Sequence, residues 1–245
     1  MIDFSNYKFR CSQLGDIITP SGKVTKGMVT YLRDLHIEAV YGITNDITSK
    51  YFEKGTVNES DGLEMLNKAL YPKLFLSQNK DRLSNEWIEG MFDTEANREI
   101  IFDIKNAWDL FTFGSASLNH LYSWQLHGYS FLTGIKKSAL FYVLTDMPEN
   151  LLMKEETSMY YKGRFSDVSD PLYIEAVETL REKHDYSKLA LEERFKVWFQ
   201  EFTPRHEEVI KTAVMNAREV LMNLEIERLE NLNKNKKLIE NARNG

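Results

Sequence analysis

The residues of this chain best suited to chemistry are Asp93 and the triplet Asp103-Ile104-Lys105. Residues 85–93 read as a strand ending at an acid, residues 94–97 as a polar turn, and residues 98–105 as a second strand. Two apolar, β-branched runs around such a turn predict a hairpin. Strand side chains alternate, so Asp103 and Lys105 share one face while Phe102 and Ile104 take the other. A carboxylate and an amine then stand together, with a second carboxylate on the neighbouring strand. Two close carboxylates repel unless a cation lies between them, and hard oxygen donors favour Mg²⁺ or Mn²⁺. An ion there acidifies a water and stabilises charge on a phosphoryl oxygen, and the lysine orients or helps deprotonate that water. Asp-x-Lys near another Asp is a common pattern on exposed strands, so it needs support from elsewhere.

Two stretches supply support. Upstream, Glu53-Lys54-Gly55-Thr56-Val57-Asn58-Glu59 runs into a helical pattern with Leu63, Met65, Leu66 and Leu70, placing Glu59 in its first turns. Glu53, Asp61 and Glu64 are also acidic, so a solvated acidic face competes with a site role for Glu59. Downstream, Gln125 and Tyr129 are four residues apart, on one face of a helix. The order Gly-x-x-x-Glu, Asp, Asp-x-Lys, Gln-x-x-x-Tyr resembles the PD-(D/E)XK nuclease superfamily. Within it, the resemblance is to the branch of phage lambda exonuclease, YqaJ-like recombination exonucleases and RecB-type nuclease domains. It covers residues 9–145.

The resemblance implies a restriction-endonuclease-like α/β core, a mixed sheet flanked by helices. It implies Asp93 and Asp103 as metal ligands, Glu59 as a further acid supporting the metal, and Lys105 as the catalytic lysine. Gln125 and Tyr129 would hold substrate and site together. Phe92 stands where the motif's nominal proline would be, and Asp103 where glutamate is also allowed. The implied activity is Mg²⁺- or Mn²⁺-dependent digestion of double-stranded DNA ends, 5′ to 3′, in phage-type recombination. A single-strand annealing protein is the implied partner, and a homo-oligomeric ring the implied assembly. Arg10 and Ser12, in the entry segment, are candidate phosphate contacts, against the competing reading of an exposed arginine and a helix-capping serine. An endonuclease of the same fold in repair or restriction, and a non-catalytic nucleic-acid-binding module, are the alternatives.

Composition bounds these readings. At 245 residues, with 42% hydrophobic and 12% aromatic residues, the chain suffices for one nuclease domain with its motif core at 9–145 and an extension over 146–245. The single cysteine, Cys11, excludes an internal disulfide and a four-cysteine iron–sulfur cluster. There is no signal-peptide pattern and no apolar run of membrane-spanning length, so the expectation is an intracellular, cytoplasmic protein with no membrane partner, in a bacterial host cell if the resemblance reflects phage or prophage encoding. The net charge of −6 gives nucleic-acid binding no global support, so any phosphate contact must be local.

The elements that must position the candidates follow from periodicity. Residues 25–41 read as a helix through Met28, Leu32, Leu35, Ala39 and Val40, and residues 51–70 as a second, interrupted at Gly55. Residues 107–113 are rich in aromatics, for core packing or for stacking bases. Residues 115–132 read as the helix of Gln125 and Tyr129, closed by Gly134, with His127 facing away from the pair. Residues 137–145 read as a strand joining the sheet, 148–184 as chiefly helical, and 195–202 as a late strand. Thr203-Pro204 opens a long helix with Ile210, Val214, Ala217, Leu221 and Leu224 as its apolar stripe. Residues 231–245 are polar and are expected to fray.

Overall fold

A computed structural model describes residues 1–20, 23–43 and 58–244. Strands β1 (Phe9–Arg10), β2 (Leu83–Ser84) and β3 (Ile88–Gly90) form a small sheet in the order β1-β3-β2. Strands β4 (Thr94–Ala96), β5 (Ile100–Asn106), β6 (Lys137–Val143) and β7 (Phe195–Glu201) form a second sheet in that order. In it β4 and β7 run antiparallel to their neighbours and β5 and β6 run parallel. The helices are α1 (Leu14–Ile17), α2 (Lys26–Tyr41), α3 (Glu59–Leu70), α4 (Leu110–Ser115), α5 (His120–Thr133), α6 (Glu149–Lys162), α7 (Pro171–Lys183) and α8 (Pro204–Asn244). This is the mixed α/β architecture expected, divided between two sheets.

The hairpin differs from the prediction. The first arm is β4, Thr94–Ala96, the stretch that reads as a turn; the turn itself is at Asn97 and Arg98, which carry φ of 53° and 58°. Residues 85–93 are not one strand: β3 ends at Gly90, and residues 91–93 carry the chain from the small sheet to the edge of the large one. Asp93 is the last residue before β4. A three-residue, mostly polar edge strand has no alternation to read, and its pairing to β5 decides its conformation.

Two helices sandwich the central strand. Helix α3 lays Leu66 and Leu63 against Phe102, Phe141 and Ile104. Its close seat depends on Gly62, where a Cβ would stand 2.8 Å from Ile104 Cγ2. Helix α5 covers the opposite face. It starts where the Asn119 side chain accepts from the Tyr122 amide, not at residue 115 as predicted, because residues 110–115 form the separate α4. It ends at Gly134, in the left-handed conformation with φ 78°. Residues 125–130 of α5 are all buried, since the turn at Cys11–Gln13 and α1 pack on its other side. There Gly128 leaves room for Leu14 and Cys11.

Helix α8 is 41 residues long, roughly 60 Å at 1.5 Å per residue. Ile210, Val214, Ala217 and Leu221 are fully buried in the main core, and the next position on that stripe is the buried Glu225; Leu224 is half-buried. The expected fraying of the last residues is corrected: the helix runs to Asn244, with residues 231–243 exposed. No proline or glycine interrupts that stretch, and its Lys, Glu, Leu and Arg residues favour helix. Of the aromatic run, Trp108 and Phe113 are core, while Phe111 is exposed beside Lys183. The expected turn at Ser21-Gly22, the break at 45–49 and the helical reading of 51–57 with Gly55 lie outside the described residues.

Candidate active site

The site begins where β4 stops. Its pairing ends at Thr94 opposite Phe102, leaving the edge of β5 open from Asp103 onward. The Ile104 amide on that edge donates instead to Asp93 Oδ2 at 2.5 Å. Asp93 thus takes the place of a strand partner, which fixes its carboxylate beside Asp103. Burial and the Asp103 charge push the Asp93 carboxyl up to about 7, against the opposing pull of Lys105 and the Ile104 amide.

Asp103 is 1% exposed and lies on the α5 side of β5. Its Oδ1 accepts from Lys105 Nζ at 3.1 Å and from Gln125 Nε2 at 3.2 Å. Lys105 Nζ is also 2.9 Å from Oδ2, but without hydrogen-bond geometry, so this buried oxygen accepts no hydrogen bond among the described residues. Burial opposes the Lys105 ammonium, yet Asp103 and Asp93 outweigh it and hold its pKa above the ordinary value. Gln125 Nε2 lies 2.7 Å from the Tyr129 hydroxyl, whose pKa is driven far upward by burial and by Asp103. The amide is thereby clamped between carboxylate and neutral phenol, as an i, i+4 pair allows.

Glu59 is the first residue of α3 and lines a small cavity with Asp93, Ile104, Asn106, Leu63 and Gln78. Its Oε2 accepts from Gln78 Nε2 at 2.8 Å. The structure therefore gathers Asp93, Asp103, Lys105, Gln125 and Tyr129 by direct contact or charge, with Glu59 facing Asp93 across the cavity. Arg10 and Ser12 are both exposed where β1 runs into the turn at Cys11–Gln13. Among the described residues neither hydrogen-bonds to the carboxylates. His127 stacks on His206 with centroids 3.8 Å apart and is held down to about 4 by burial and by His206, away from the carboxylates.

Two contributors escape a reading of the sequence. Tyr122 places its ring 5.8 Å from Lys105 Nζ. Its spacing three residues before Gln125 was the available signal, hidden because an aromatic on an amphipathic helix reads as core. Gln78 lies in the loop after α3, where no periodicity marks it.

Among the described residues no three His, Cys, Asp or Glu side chains already converge as a metal cage. The donor chemistry nevertheless fits a hard divalent cation. The adjacent Asp103 raises the pKa of Asp93, and Asp103 Oδ2 is a buried carboxyl oxygen lacking a hydrogen bond.

No protein-family model matches the sequence, and no curated protein matches it either. Solved structures do. A phage-related exonuclease from Haemophilus somnus 129PT superposes with a TM-score of 0.70 at 22% identity, covering 91% of this chain and 97% of that one. The alkaline exonuclease LHK-Exo from Laribacter hongkongensis gives 0.61 at 13% identity, with 96% of each chain covered. LHK-Exo in complex with dAMP gives 0.57 at 15% identity, with 94% of each covered. This chain has the phage-type exonuclease fold. The exonuclease fold expected from the motif order is thus shared with these structures over 91–96% of this chain. Among the described residues no helix is long and apolar enough to cross a membrane.

Proposed function

We propose that this chain is a divalent-metal-dependent deoxyribonuclease that digests double-stranded DNA from its ends. The observation that carries the reading is the Asp103 carboxylate, buried, shared between Lys105 and Gln125, with one oxygen left without a hydrogen bond beside Asp93. Asp93 and Asp103, with Glu59 as the third acid, are the residues to hold Mg²⁺ or Mn²⁺. A divalent ion supplies a Lewis acid to the phosphoryl oxygen and lowers the pKa of water.

The chain's own groups do the rest. Lys105 keeps its proton and so presents a fixed positive charge to the scissile phosphate while orienting the attacking water. Gln125 holds Asp103 in one rotamer, and Tyr129, neutral at any working pH, anchors Gln125. The Tyr122 ring limits the volume open to the lysine and keeps Nζ turned toward the carboxylates. Arg10 and Ser12 are proposed contacts for terminal phosphate. The fold shared with exonucleases, one of them solved with dAMP, supports DNA as the polymer.

The motif order supports finer statements of the same proposal. Digestion proceeds 5′ to 3′, leaves a 3′ strand for a single-strand annealing protein, and serves phage-type recombination in a bacterial cytoplasm. The active form is a homo-oligomeric ring around DNA.

The test is digestion of linear duplex DNA, 5′-phosphorylated or blocked, beside a closed circle, with Mg²⁺ and with EDTA. We expect Mg²⁺-dependent loss of linear DNA alone, absent in Asp103→Ala. Cutting of the circle would make the chain an endonuclease, and inactivity with every divalent metal would leave a binding module.

A further inference from the structure

Asn58 opens α3, at the position where an asparagine side chain ordinarily accepts from the helix's own first amides. It makes no such cap. The side chain, 1% exposed, turns the other way, its Nδ2 donating to Thr145 Oγ1 at 2.7 Å and to the Asp146 carbonyl at 3.0 Å. The Thr145 hydroxyl passes its own proton on to Asn106 Oδ1 at 3.3 Å, and Asn106 Nδ2 returns to the Asn58 carbonyl at 3.3 Å. That carbonyl also receives the Gly62 amide at 3.0 Å, the first hydrogen bond of α3. A closed ring of hydrogen bonds therefore joins the start of α3, the end of β5 and the residues after β6. Asn58 directly precedes Glu59, and Asn106 directly follows Lys105.

We infer that Asn58, Thr145 and Asn106 are positioning residues whose ring sets Glu59 against Asp93 and so sets the affinity of the carboxylate cluster for a divalent cation. The inference rests on the proposed metal role of that cluster. Three features separate it from ordinary core satisfaction. The helix forgoes its cap to make the ring. Glu59 shares its cavity with Asn106 and Asp93. Asn58 Oδ1, the ring's remaining oxygen, is buried without a hydrogen bond among the described residues, so stability alone does not account for an asparagine here. Groups that orient the residues of a metal site typically alter affinity or activity by about 10- to 100-fold when removed.

Thr145→Val removes one hydroxyl at nearly constant volume, and Thr145→Ser retains it. Mn²⁺ binding, read from the loss of the free-ion electron paramagnetic resonance signal, would be compared for wild type, both variants, Glu59→Gln and the Thr145→Val/Glu59→Gln double variant. Digestion of linear DNA runs alongside. The expected result is about 10-fold or more weaker binding in Thr145→Val, recovery in Thr145→Ser, and little further loss from Thr145→Val once Glu59 is Gln. Should Thr145→Val fail to fold, Asn106→Ala, at a half-buried position, replaces it. Unchanged Mn²⁺ affinity, independent losses in the double variant, or no Mn²⁺ binding by wild type would each overturn the inference. Wild type that binds Mn²⁺ but leaves DNA intact would sink the nuclease reading while the ring is still judged on the binding data.

Discussion

Two buried acids in this molecule have opposite surroundings. Glu225 on α8 is fully buried and saturated. Arg228 donates to both of its oxygens at 2.8 Å, the Ile2 amide to Oε1 at 3.0 Å, and His36 Nε2 sits 3.0 Å from Oε2. Those hydrogen bonds, Arg228's foremost, hold its carboxyl down to about 2 despite burial. Asp103, equally buried, keeps one oxygen without a hydrogen bond, and its neighbour Asp93 is pushed up to about 7. One acid ties the amino terminus, α2 and α8 together; the other pair sets one buried carboxyl beside another, and Asp93 is pushed toward its protonated form as a result. A protein tolerates the second arrangement where a ligand is to complete it.

The largest effect separates the two directly. Lys105→Ala is expected to lower DNA cleavage by ~10²–10⁴-fold while leaving the melting temperature close to wild type. Parallel losses of stability and activity would make Lys105 a structural partner of Asp103 and erase the contrast. Glu225→Ala should do the reverse. Removing a saturated buried acceptor strands the Ile2 amide and Arg228, costing about 2–3 kcal/mol, or roughly 5–10 °C in melting temperature. Cleavage per folded molecule should stay unchanged, and a change in rate would show that α8 reaches the site.

The two acids also differed in how far the sequence revealed them. Asp103 and Lys105 were legible because strand alternation is local: the residue two positions along returns to the same face. Gln125 and Tyr129 were legible for the same reason at helical spacing. Asp93 was legible as a residue but not in its setting, since Thr94–Ala96 is a strand only through its pairing with β5. Glu225 gave no signal, its partners Ile2 and His36 lying 223 and 189 residues away. Nor did Asn58, whose ring closes through Thr145 and Asn106, on two other segments. Position 225 continues an apolar stripe, and nothing local tells that an acid there is buried. Helix α8 is legible at its start, whereas its exposed, mostly polar end carries helix propensity without an apolar stripe to mark it.

Titration should draw the two regions apart. In the metal-free protein Asp93 holds a proton up to about pH 7 that the unfolded chain releases near its ordinary value of 3.8. Its contribution to stability therefore declines as pH rises through that window and is unfavourable above it. Asp93→Asn, which keeps the acceptor for the Ile104 amide, is expected to melt above metal-free wild type at pH 8, with the gap closing toward pH 4. Glu225 works the other way, its stabilisation complete above its ordinary 4.5 and lost as pH falls toward about 2. Glu225→Gln should melt below wild type at pH 7, with the deficit shrinking in acid. Melting curves in EDTA across pH 3–8 measure both, and slopes of the same sign would remove the distinction. Because Asp93 must lose its proton to hold a cation, Mg²⁺ should also raise the melting temperature more at pH 8 than at pH 6.

The smallest effect asks which side of the cavity holds Glu59. Gln78 grips its Oε2 at 2.8 Å from an exposed loop, whereas the Asn58–Thr145–Asn106 ring holds its backbone from the buried side. A solvent-facing hydrogen bond is readily replaced by water, so Gln78→Ala should raise the half-saturating Mg²⁺ concentration only ~2–10-fold, with no change in melting temperature. Mg²⁺ titration of cleavage beside Thr145→Val gives the comparison. A loss in Gln78→Ala exceeding that of Thr145→Val would place control of Glu59 in the loop, which is itself tied to the strand of the site through Ser77 and Asn79, and not in the buried ring.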